Sequence, residues 1–343
     1  CIIPMASLVR RIHVFKDIRA FFQIRRKIRQ IKPDIVHTHT SKAGLVGRVA
    51  AWLEAVPIVI QTPHGHVFYG HFGPAASQFY LLLERLTAVI TDRLVALTEQ
   101  ERSDYVRYNV IPESKLATIH SGVDVQRFQQ PIERTADKSG QPVTPPGRTV
   151  IGFVGWLLPI KGVDILLQAM TTVCKSAPHA MLVLVGKGQL EARMKSEVRR
   201  LNLAENVQFM GWRNDIENIL PLFDIFVLPS LNEGMGRVLV EAMAAARPIV
   251  ASNTGGIPDL IQHQINGLLV PPGDPRALAE ALLQLIRQPD AARRMGQAGH
   301  RLAGRFSVEE MVDRIEQMYT ELLLDKNLRN RLTQSTPQGL PGR

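Results

Sequence analysis

The sequence IFVLPSLNEGMGRVLVEAMAAARPIVASNTGG, at residues 225–256, decides the fold. Its first four residues form a short apolar run that predicts a buried strand. A loop with two glycines follows, and the apolar spacing of the next residues predicts a helix over residues 236–246. A second apolar run predicts another strand at residues 248–251. A strand, a helix and a strand in this order form a βαβ unit, in which the two strands are parallel.

The same alternation of apolar runs and amphipathic stretches extends in both directions along the chain. The other predicted strands cover residues 34–37, 57–61, 93–97, 116–120, 149–154, 180–185 and 207–209. The other predicted helices cover residues 42–53, 75–87, 99–108, 163–176, 190–201, 215–220, 275–287, 291–304 and 308–324. This pattern predicts an α/β protein of two Rossmann-like, doubly wound domains that face each other across a cleft, with ligands at the carboxyl ends of the strands.

The length of 343 residues also predicts two domains. We expect an N-terminal domain over residues 1–130 and a linker over 131–148, where prolines and glycines are frequent. A C-terminal domain is expected over 149–304, followed by a helix at 305–325 that crosses back to the N-terminal domain. The polar residues 326–343 are predicted to be a flexible tail. Because the chain opens on Cys1 in the apolar sequence CIIPMASLV, we expect the start to be incomplete and to lack an opening strand.

Composition excludes several classes of protein. Apolar residues make up 45% of the chain and charged residues 21%, which is typical of a globular protein and not of a disordered or fibrous one. No apolar run approaches the roughly 20 residues that a membrane-spanning helix needs. Two cysteines cannot form a disulfide framework, and no secretory leader is recognisable. We therefore expect a cytoplasmic enzyme.

The net charge of +10 is concentrated near the start of the chain. Residues 10–32 contain nine basic residues against the single acid Asp17, and apolar residues recur there at three- and four-residue spacing. This pattern predicts an amphipathic helix with a basic face. That face is either simply solvated or contacts an anionic membrane surface, which would place the enzyme peripherally on the inner face of the cell membrane. Nucleic acid is not an expected partner, because no aromatic platform or reading motif accompanies the charge.

The loop and helix at residues 229–246 carry groups suited to a phosphorylated sugar. Gly234 and Gly236 let the backbone approach a ligand closely, and the start of the helix offers unpaired N–H donors to a phosphate. An ionised carboxylate such as Glu233 accepts hydrogen bonds from sugar hydroxyls. Glu241 lies on a helix of small residues and needs a polar partner, such as a ribose diol. The alternative is that both glutamates are solvated structural residues.

This stretch resembles the retaining glycosyltransferases of the GT-B fold, of the family-four type that builds bacterial polysaccharides and lipid-linked glycans. The motif PS-x-x-EG-[FM]-G-x-x-x-x-EAMA, followed by P-[IV]-V-A-S and GG, carries the resemblance, which covers nearly the whole chain. It implies that Glu233 holds hydroxyls of the donor sugar and that the backbone of Gly234, Met235 and Gly236 supports sugar and phosphate. It also implies that Glu241 binds the ribose. The family usually has glycine where this chain has Ala246.

A second loop, GWLLPIKG at residues 155–162, follows a predicted strand. Its glycines and Lys161 suit a diphosphate, since a fixed positive charge stabilises an oxyanion as a sugar departs. The resemblance identifies Lys161 as the diphosphate lysine, with Gly155 and Trp156 beside the donor. The family commonly has arginine at Trp156, so we expect Arg237 or a residue of the other domain to replace that cation.

Two further regions are assigned by the resemblance. The sequence Gly211-Trp212-Arg213 lies where the family contacts the nucleobase, mostly through its backbone. His64, in TPHGH, matches the histidine that faces the donor sugar. The segments at residues 37–48 and 64–72 resemble those of members that act on lipid-linked saccharides. The H-x-H pairs at 37–39 and 64–66 raise the possibility of a metal site, but no acid or thiolate completes one and no D-x-D motif is present, so we expect no metal and no cofactor.

The function that these observations predict is retaining transfer of a hexosyl or N-acetylhexosaminyl group from a nucleotide-sugar, more plausibly UDP- than GDP-linked, to a lipid-linked or polysaccharide acceptor. His64, Lys161 and Glu233 are the expected catalytic residues. Two alternatives stay open at this point: a GT-B epimerase or phosphorylase, and an inactive membrane-associated scaffold.

Overall fold

The computed structural model describes residues 2–9, 13–64, 73–129 and 147–335, without the side chains of Pro74 and of residues 328–335. The predicted linker at 131–148 and the HGHVFYGHF segment therefore lie largely outside the described residues, as does the end of the predicted tail from residue 336. The chain divides into two compact units. The first comprises Cys1–Ile119 and Val312–Arg343, and the second comprises His120–Met311.

The first unit is built on a parallel sheet of four strands in the order β1-β2-β3-β4. The strands are β1 (Ile35–His39), β2 (Ile58–Thr62), β3 (Arg93–Ala96) and β4 (Leu116–Thr118). The helices of this part of the chain are α1 (Val14–Ile31), α2 (Ser41–Leu53), α3 (Pro74–Ala88) and α4 (Glu99–Arg107). Strand β2 is buried along its whole length, as expected for a central strand of a parallel sheet covered on both faces.

The second unit contains a parallel sheet of six strands in the order β10-β9-β8-β5-β6-β7. The strands are β5 (Thr149–Val154), β6 (Ala180–Val185), β7 (Val207–Gly211), β8 (Ile225–Leu228), β9 (Ile249–Ser252) and β10 (Gly267–Val270). The helices are α5 (Val125–Phe128), α6 (Val163–Ser176), α7 (Glu191–Arg200), α8 (Ile216–Ile219), α9 (Arg237–Ala244), α10 (Ile257–Leu260), α11 (Pro275–Arg287), α12 (Pro289–Ala303) and α13 (Val308–Ser335). From Val312 onward, α13 belongs to the first unit.

Strand β5 is the point at which the order of the second sheet reverses. The chain continues from β5 to β6 and β7 on one side, and then returns to place β8, β9 and β10 on the other. In open α/β sheets the loops on either side of such a reversal diverge and leave a crevice at the carboxyl ends of the strands. The loops that follow β5 and β8 therefore border the crevice in which a ligand is expected.

The core of the second unit explains where the chain divides. Val123, Val125 and Phe128 are buried in this core, and the backbone N–H of Val123 donates to the carbonyl of Phe306 at 3.0 Å. The division consequently falls between Ile119 and His120, ahead of the predicted linker.

Several predicted elements differ from the observed ones. Strand β10 and the short helices α5 and α10 are absent from the sequence-based prediction, and the strand predicted at 116–120 ends at Thr118. Helix α13 continues through Ser335, beyond the predicted end of this helix at residue 324. No proline or glycine interrupts residues 326–335, which lets the helix continue. Within the described ranges, no helix is both long and apolar enough to span a membrane.

Candidate active site

Lys161 and Glu233 meet at the reversal point of the second sheet. Lys161 ends a 3₁₀ turn after β5, and Glu233 lies in the loop between β8 and α9. The Lys161 Nζ atom is 2.5 Å from Glu233 Oε2, and the hydroxyl of Ser230 donates to the same oxygen at 2.9 Å. Only 12% of the Glu233 side chain is exposed, so its charge depends on these two donors.

The loops that carry this pair are fastened to each other. The N–H of Leu231 donates to the carbonyl of Ile160 at 2.8 Å, which joins the loop after β8 to the loop after β5. Gly162 follows Lys161 with a φ of +64°, and a Cβ atom there would lie 2.1 Å from the Pro229 carbonyl oxygen. Only glycine permits this approach, so the lysine and the acid are brought together by backbone geometry.

A third loop, after β9, supports the loop that holds Glu233. The N–H of Gly256 donates to the carbonyls of Glu233 and Gly234, at 3.2 and 2.9 Å. Gly255 has a φ of +54°, and a Cβ atom there would lie 1.8 Å from the Glu233 carbonyl oxygen. The two glycines at the end of the motif therefore hold the backbone of Glu233 in place.

The glycine-rich start of α9 is open at one position. A Cβ atom at Gly234 would meet nothing within 4 Å, whereas Gly236, at a φ of +71°, is buried and caps the helix. The Met235 side chain is buried in the core, so only its backbone faces the loop surface. Arg237 is exposed at the first turn of α9. This helix start is suited to an anion, since unpaired N–H groups and a positive side chain occur together.

Glu241 lies further along α9 in a partly buried position. Its pKa is raised, mainly because burial disfavours the charged form, while Arg237 and Arg127 act in the opposite direction. A ligand hydroxyl that donates a hydrogen bond to this carboxylate, such as one of a diol, would favour its charged form. The cation nearest in sequence, Arg237, is the one predicted to replace the missing arginine at Trp156.

Two tryptophans predicted to lie beside the donor are in contact. Trp156 follows β5 and Trp212 follows β7, and their ring centroids are 5.0 Å apart. Both are about half exposed, at 53% and 49%, although aromatic side chains of this size are usually more buried. The Trp212 Nε1–H donates to Asn214 Oδ1 at 2.8 Å, which orients its ring.

Backbone groups next to these tryptophans already form hydrogen bonds within the protein. The Gly155 N–H donates to the Val185 carbonyl at 3.0 Å, and the Gly211 carbonyl accepts from Gly186 N–H at 2.7 Å. Arg213 forms a bidentate pair with Asp215, with two contacts of 2.8 Å. Arg213 therefore reaches a ligand only if it leaves Asp215, or through its backbone.

His64 lies in the first unit, at the end of the described part of the loop after β2. Its Nε2 atom is 2.9 Å from His39 Nδ1, and the ring of His39 stacks on that of His37 with centroids 4.5 Å apart. The pKa values of His39 and His64 are both lowered, chiefly by burial, and the pKa of His37 falls to about 4 for the same reason. Each ring is therefore neutral near pH 7.

Sequence reasoning missed the partners that hold these histidines. His37 is hydrogen-bonded to Thr62 Oγ1 and to Tyr319 Oη, each at 2.7 Å, and Tyr319 lies on α13. The contact of Ser230 with Glu233 was not predicted either, although Ser230 is part of the motif PS-x-x-EG. Across the described residues, no group of three or more His, Cys, Asp or Glu side chains is arranged to hold a metal ion.

Comparison with known proteins identifies the class. The family described as Glycosyl transferases group 1 matches residues 135–302, and Glycosyltransferase Family 4 matches residues 3–127. UDP-Gal:alpha-D-GlcNAc-diphosphoundecaprenol alpha-1,3-galactosyltransferase of Escherichia coli is 30% identical over 323 residues, which is 93% of this chain and 84% of the relative. The chain therefore belongs to the family-4 type of glycosyltransferases and is a glycosyltransferase enzyme.

Solved structures agree on the fold. Sucrose-phosphate synthase from Thermosynechococcus elongatus has a TM-score of 0.79 at 23% identity, covering 91% of this chain and 79% of that one. Anabaena HepE in complex with UDP has a TM-score of 0.77 at 22% identity, covering 88% and 82%. The two parallel-sheet, Rossmann-like domains predicted from the sequence are thus confirmed, and they are those of the GT-B fold.

Proposed function

We propose that the enzyme transfers a hexosyl or N-acetylhexosaminyl group from a UDP-sugar to a lipid-linked or polysaccharide acceptor, with retention of anomeric configuration. The observation that carries this proposal is the contact between Lys161 and Glu233 at the reversal point of the second sheet. A cation suited to the diphosphate and a carboxylate suited to the sugar hydroxyls lie side by side there. The UDP-galactose named for the Escherichia coli relative, and the UDP bound to HepE, support a uridine donor.

Each group has a distinct role in the proposed reaction. Lys161 and the N–H groups at the start of α9 stabilise the negative charge that grows on the departing diphosphate. Glu233 accepts hydrogen bonds from sugar hydroxyls, and Glu241 accepts those of the ribose. Because Lys161 and Glu233 neutralise each other before the donor arrives, the donor replaces one ion pair with two contacts: phosphate to lysine, and hydroxyl to carboxylate.

The proposed mechanism needs no nucleophile from the protein. The departing phosphate oxygen takes the proton of the acceptor hydroxyl as that hydroxyl attacks the anomeric carbon from the same face. The bond from the anomeric carbon to the diphosphate breaks and the new glycosidic bond forms, so the products are UDP and the extended acceptor. No metal or cofactor takes part in the proposal.

His64 is proposed to donate a hydrogen bond to the donor sugar. When His39 Nδ1–H donates to His64 Nε2, the remaining proton of His64 lies on Nδ1 and is available to a ligand. His39 thereby selects the tautomer of His64. The acceptor chemistry named for the Escherichia coli relative, a sugar on a diphospho-lipid, supports a site of action at the inner face of the cell membrane.

A donor screen with anomeric analysis tests the proposal. UDP-galactose, UDP-glucose, UDP-N-acetylglucosamine and GDP-mannose are each incubated with a GlcNAc-diphospho-lipid acceptor, and product configuration is read by NMR. We expect one UDP-sugar to be used and an α-linked product from an α-linked donor. Inversion of configuration, or use of GDP-mannose alone, would contradict the proposal.

Variants connect the activity to the site. Lys161→Ala and Glu233→Ala should each reduce transfer by about 10²–10³-fold, the usual cost of removing one group that stabilises developing charge. Lys175→Ala and Glu280→Ala, both exposed in the second unit, are matched controls that should retain wild-type turnover. Donor incubated without acceptor gives a further control, because an epimerase would convert the sugar alone.

A further inference from the structure

A groove in the first unit is strongly basic and contains none of the residues proposed to act in sugar transfer. It has a volume of about 780 Å³ and lies between residues 3–7 and one face of α1. Lys16, Arg19, Arg26 and Lys27 line it together with the polar Gln23, and no acidic residue is among its lining residues. Four positive charges around one concave surface favour a ligand that carries phosphate.

The basic residues of α1 fall into two groups. Arg25 and Arg29 are paired with Glu54 at 2.7 and 2.8 Å, and they fasten α1 to the end of α2. By contrast, none of the four positively charged side chains that line the groove has an ion-pair or hydrogen-bond partner among the residues the structure describes. The first group therefore has a structural role, and the second group is available to bind a ligand.

The groove is held open by specific contacts. The Ser7 hydroxyl donates to Gln23 Oε1 at 2.5 Å, which ties the N-terminal segment to the middle of α1. The Lys42 ammonium donates to the Val9 carbonyl at 2.8 Å, and Ala20 on α1 is fully buried. The segment is thus fixed to α1 through Gln23 and to α2 through Lys42, and the groove beside α1 is a built feature.

Exposed apolar side chains lie next to the groove. Phe15, Ile18 and Phe22 recur at three- and four-residue spacing on α1 and are 81%, 50% and 59% exposed. On the helix this stripe lies between the groove residues and the side that packs on the domain. Such a stripe would be unfavourable in water unless an apolar phase covers it.

We propose that this groove binds the phosphate headgroup of an anionic lipid. Lys16, Arg19, Arg26 and Lys27 contact the phosphate oxygens, and Phe15, Ile18 and Phe22 enter the acyl region beside it. A nucleic acid or an acidic protein would satisfy the four charges but would leave the phenylalanines in water, so charge and apolar stripe together favour a lipid. The site is separate from the donor site and does not depend on the proposed reaction.

Co-sedimentation with vesicles tests this inference. The full chain is mixed with phosphatidylcholine vesicles with and without phosphatidylglycerol, and we expect retention by the anionic vesicles only. A variant with Lys16, Arg19, Arg26 and Lys27 all changed to Gln should partition at least about a hundredfold less, since each basic residue near an anionic surface contributes about fivefold. The control changes four exposed basic residues of the second unit to Gln, namely Lys175, Arg199, Arg287 and Arg294. It should bind like the wild type.

The outcomes distinguish binding at the groove from general attraction between a basic protein and an anionic surface. Equal loss in the groove variant and the control would overturn the proposal, as would unchanged binding in both. Phe15→Ser/Phe22→Ser should remove the part of the binding that survives high salt, while circular dichroism confirms the fold. Inorganic pyrophosphate that binds at the groove, in the absence of any vesicle binding, would also overturn the choice of a lipid.

The proposal can fail independently of the proposed function. Lys161→Ala should retain full vesicle binding although transfer is lost, and the groove variant should retain donor turnover with a water-soluble acceptor. Loss of vesicle binding in Lys161→Ala would show that the lipid occupies the donor site instead, and the groove would then be refuted.

Discussion

Replacing Lys161 by Met should separate the structural and the chemical parts of the Lys161–Glu233 contact. Removing one partner of a buried ion pair costs about 3–5 kcal/mol. Here the two side chains are 20% and 12% exposed and Ser230 still donates to the carboxylate, so water and one hydrogen bond remain. We therefore expect Lys161→Met to lower the free energy of unfolding by about 2 kcal/mol, which lowers Tm by about 4–8 °C for a domain of this size.

The double variant Lys161→Met/Glu233→Gln gives the decisive comparison. A neutral amide beside methionine leaves no uncompensated charge, so the double variant should be more stable than the sum of the single effects predicts, by about 1–2 kcal/mol. Its transfer rate should stay as low as that of either single variant, because both the cation and the carboxylate are gone. Thermal unfolding measures the first quantity, and UDP release from the donor measures the second.

Two results would refute this reasoning. Strictly additive losses of stability would show that the lysine and the acid do not support each other in the folded protein. Turnover of Lys161→Met within tenfold of the wild type would show that the lysine does not stabilise the leaving group. Lys195→Met, which removes a surface pair with Glu191, is the control and should cost at most about 0.5 kcal/mol.

Three further predictions concern single positions. The pKa of His37 is lowered to about 4, chiefly by burial, so the unfolded chain binds more protons than the folded one between about pH 4 and 6.5. The contribution of this group to stability should be complete above that window and be lost as pH falls through it. In denaturant titrations, the unfolding free energies of the wild type and His37→Gln should differ in their slope against pH inside the window and run parallel outside it. Burial raises the pKa of Glu241, so its buried charge opposes folding near neutral pH, and Glu241→Gln should unfold at a higher temperature. The same variant should bind UDP more weakly by calorimetry, and an unchanged affinity would count against the proposed contact with the ribose. Ala246 has a φ of +56°, a left-handed conformation that costs an alanine about 1–2 kcal/mol. Ala246→Gly should therefore raise the free energy of unfolding, measured in urea, by about 0.5–1 kcal/mol. The control Ala244→Gly, inside α9, should lower it.

Local signals explain which parts of the fold were predictable. Strand β8 is bounded by Asp224 and Pro229, and α11 begins at Pro275 after the capping Asp274, so both elements were located from sequence. Strand β10 is an apolar run of four residues, as β8 is, and it lies between Asn266 and two prolines, so its sequence carried a usable signal that the prediction missed.

The candidate residues of the site could be named from the sequence, but the contacts between them could not. The quoted motif identifies Glu233 and the loop after β5 identifies Lys161, yet 72 residues separate them and no local pattern predicts their hydrogen bond. Tyr319 is 282 residues from His37 and lies on a helix whose polar and apolar residues suggest only a surface element. The departure at Ala246 is visible in the sequence, but its cost follows only from the left-handed backbone that the structure shows.

The hydrogen bonds from Gly256 to the loop of Glu233 restrict how this enzyme could be redesigned. Because Glu233, the residue proposed to align the sugar, is supported by the loop after β9, a transplanted β8–α9 segment would lack that support. A change of donor preference is therefore best sought by exchanging both segments as one cassette. Swapping the acidic loop by itself should yield a folded protein with a misaligned carboxylate.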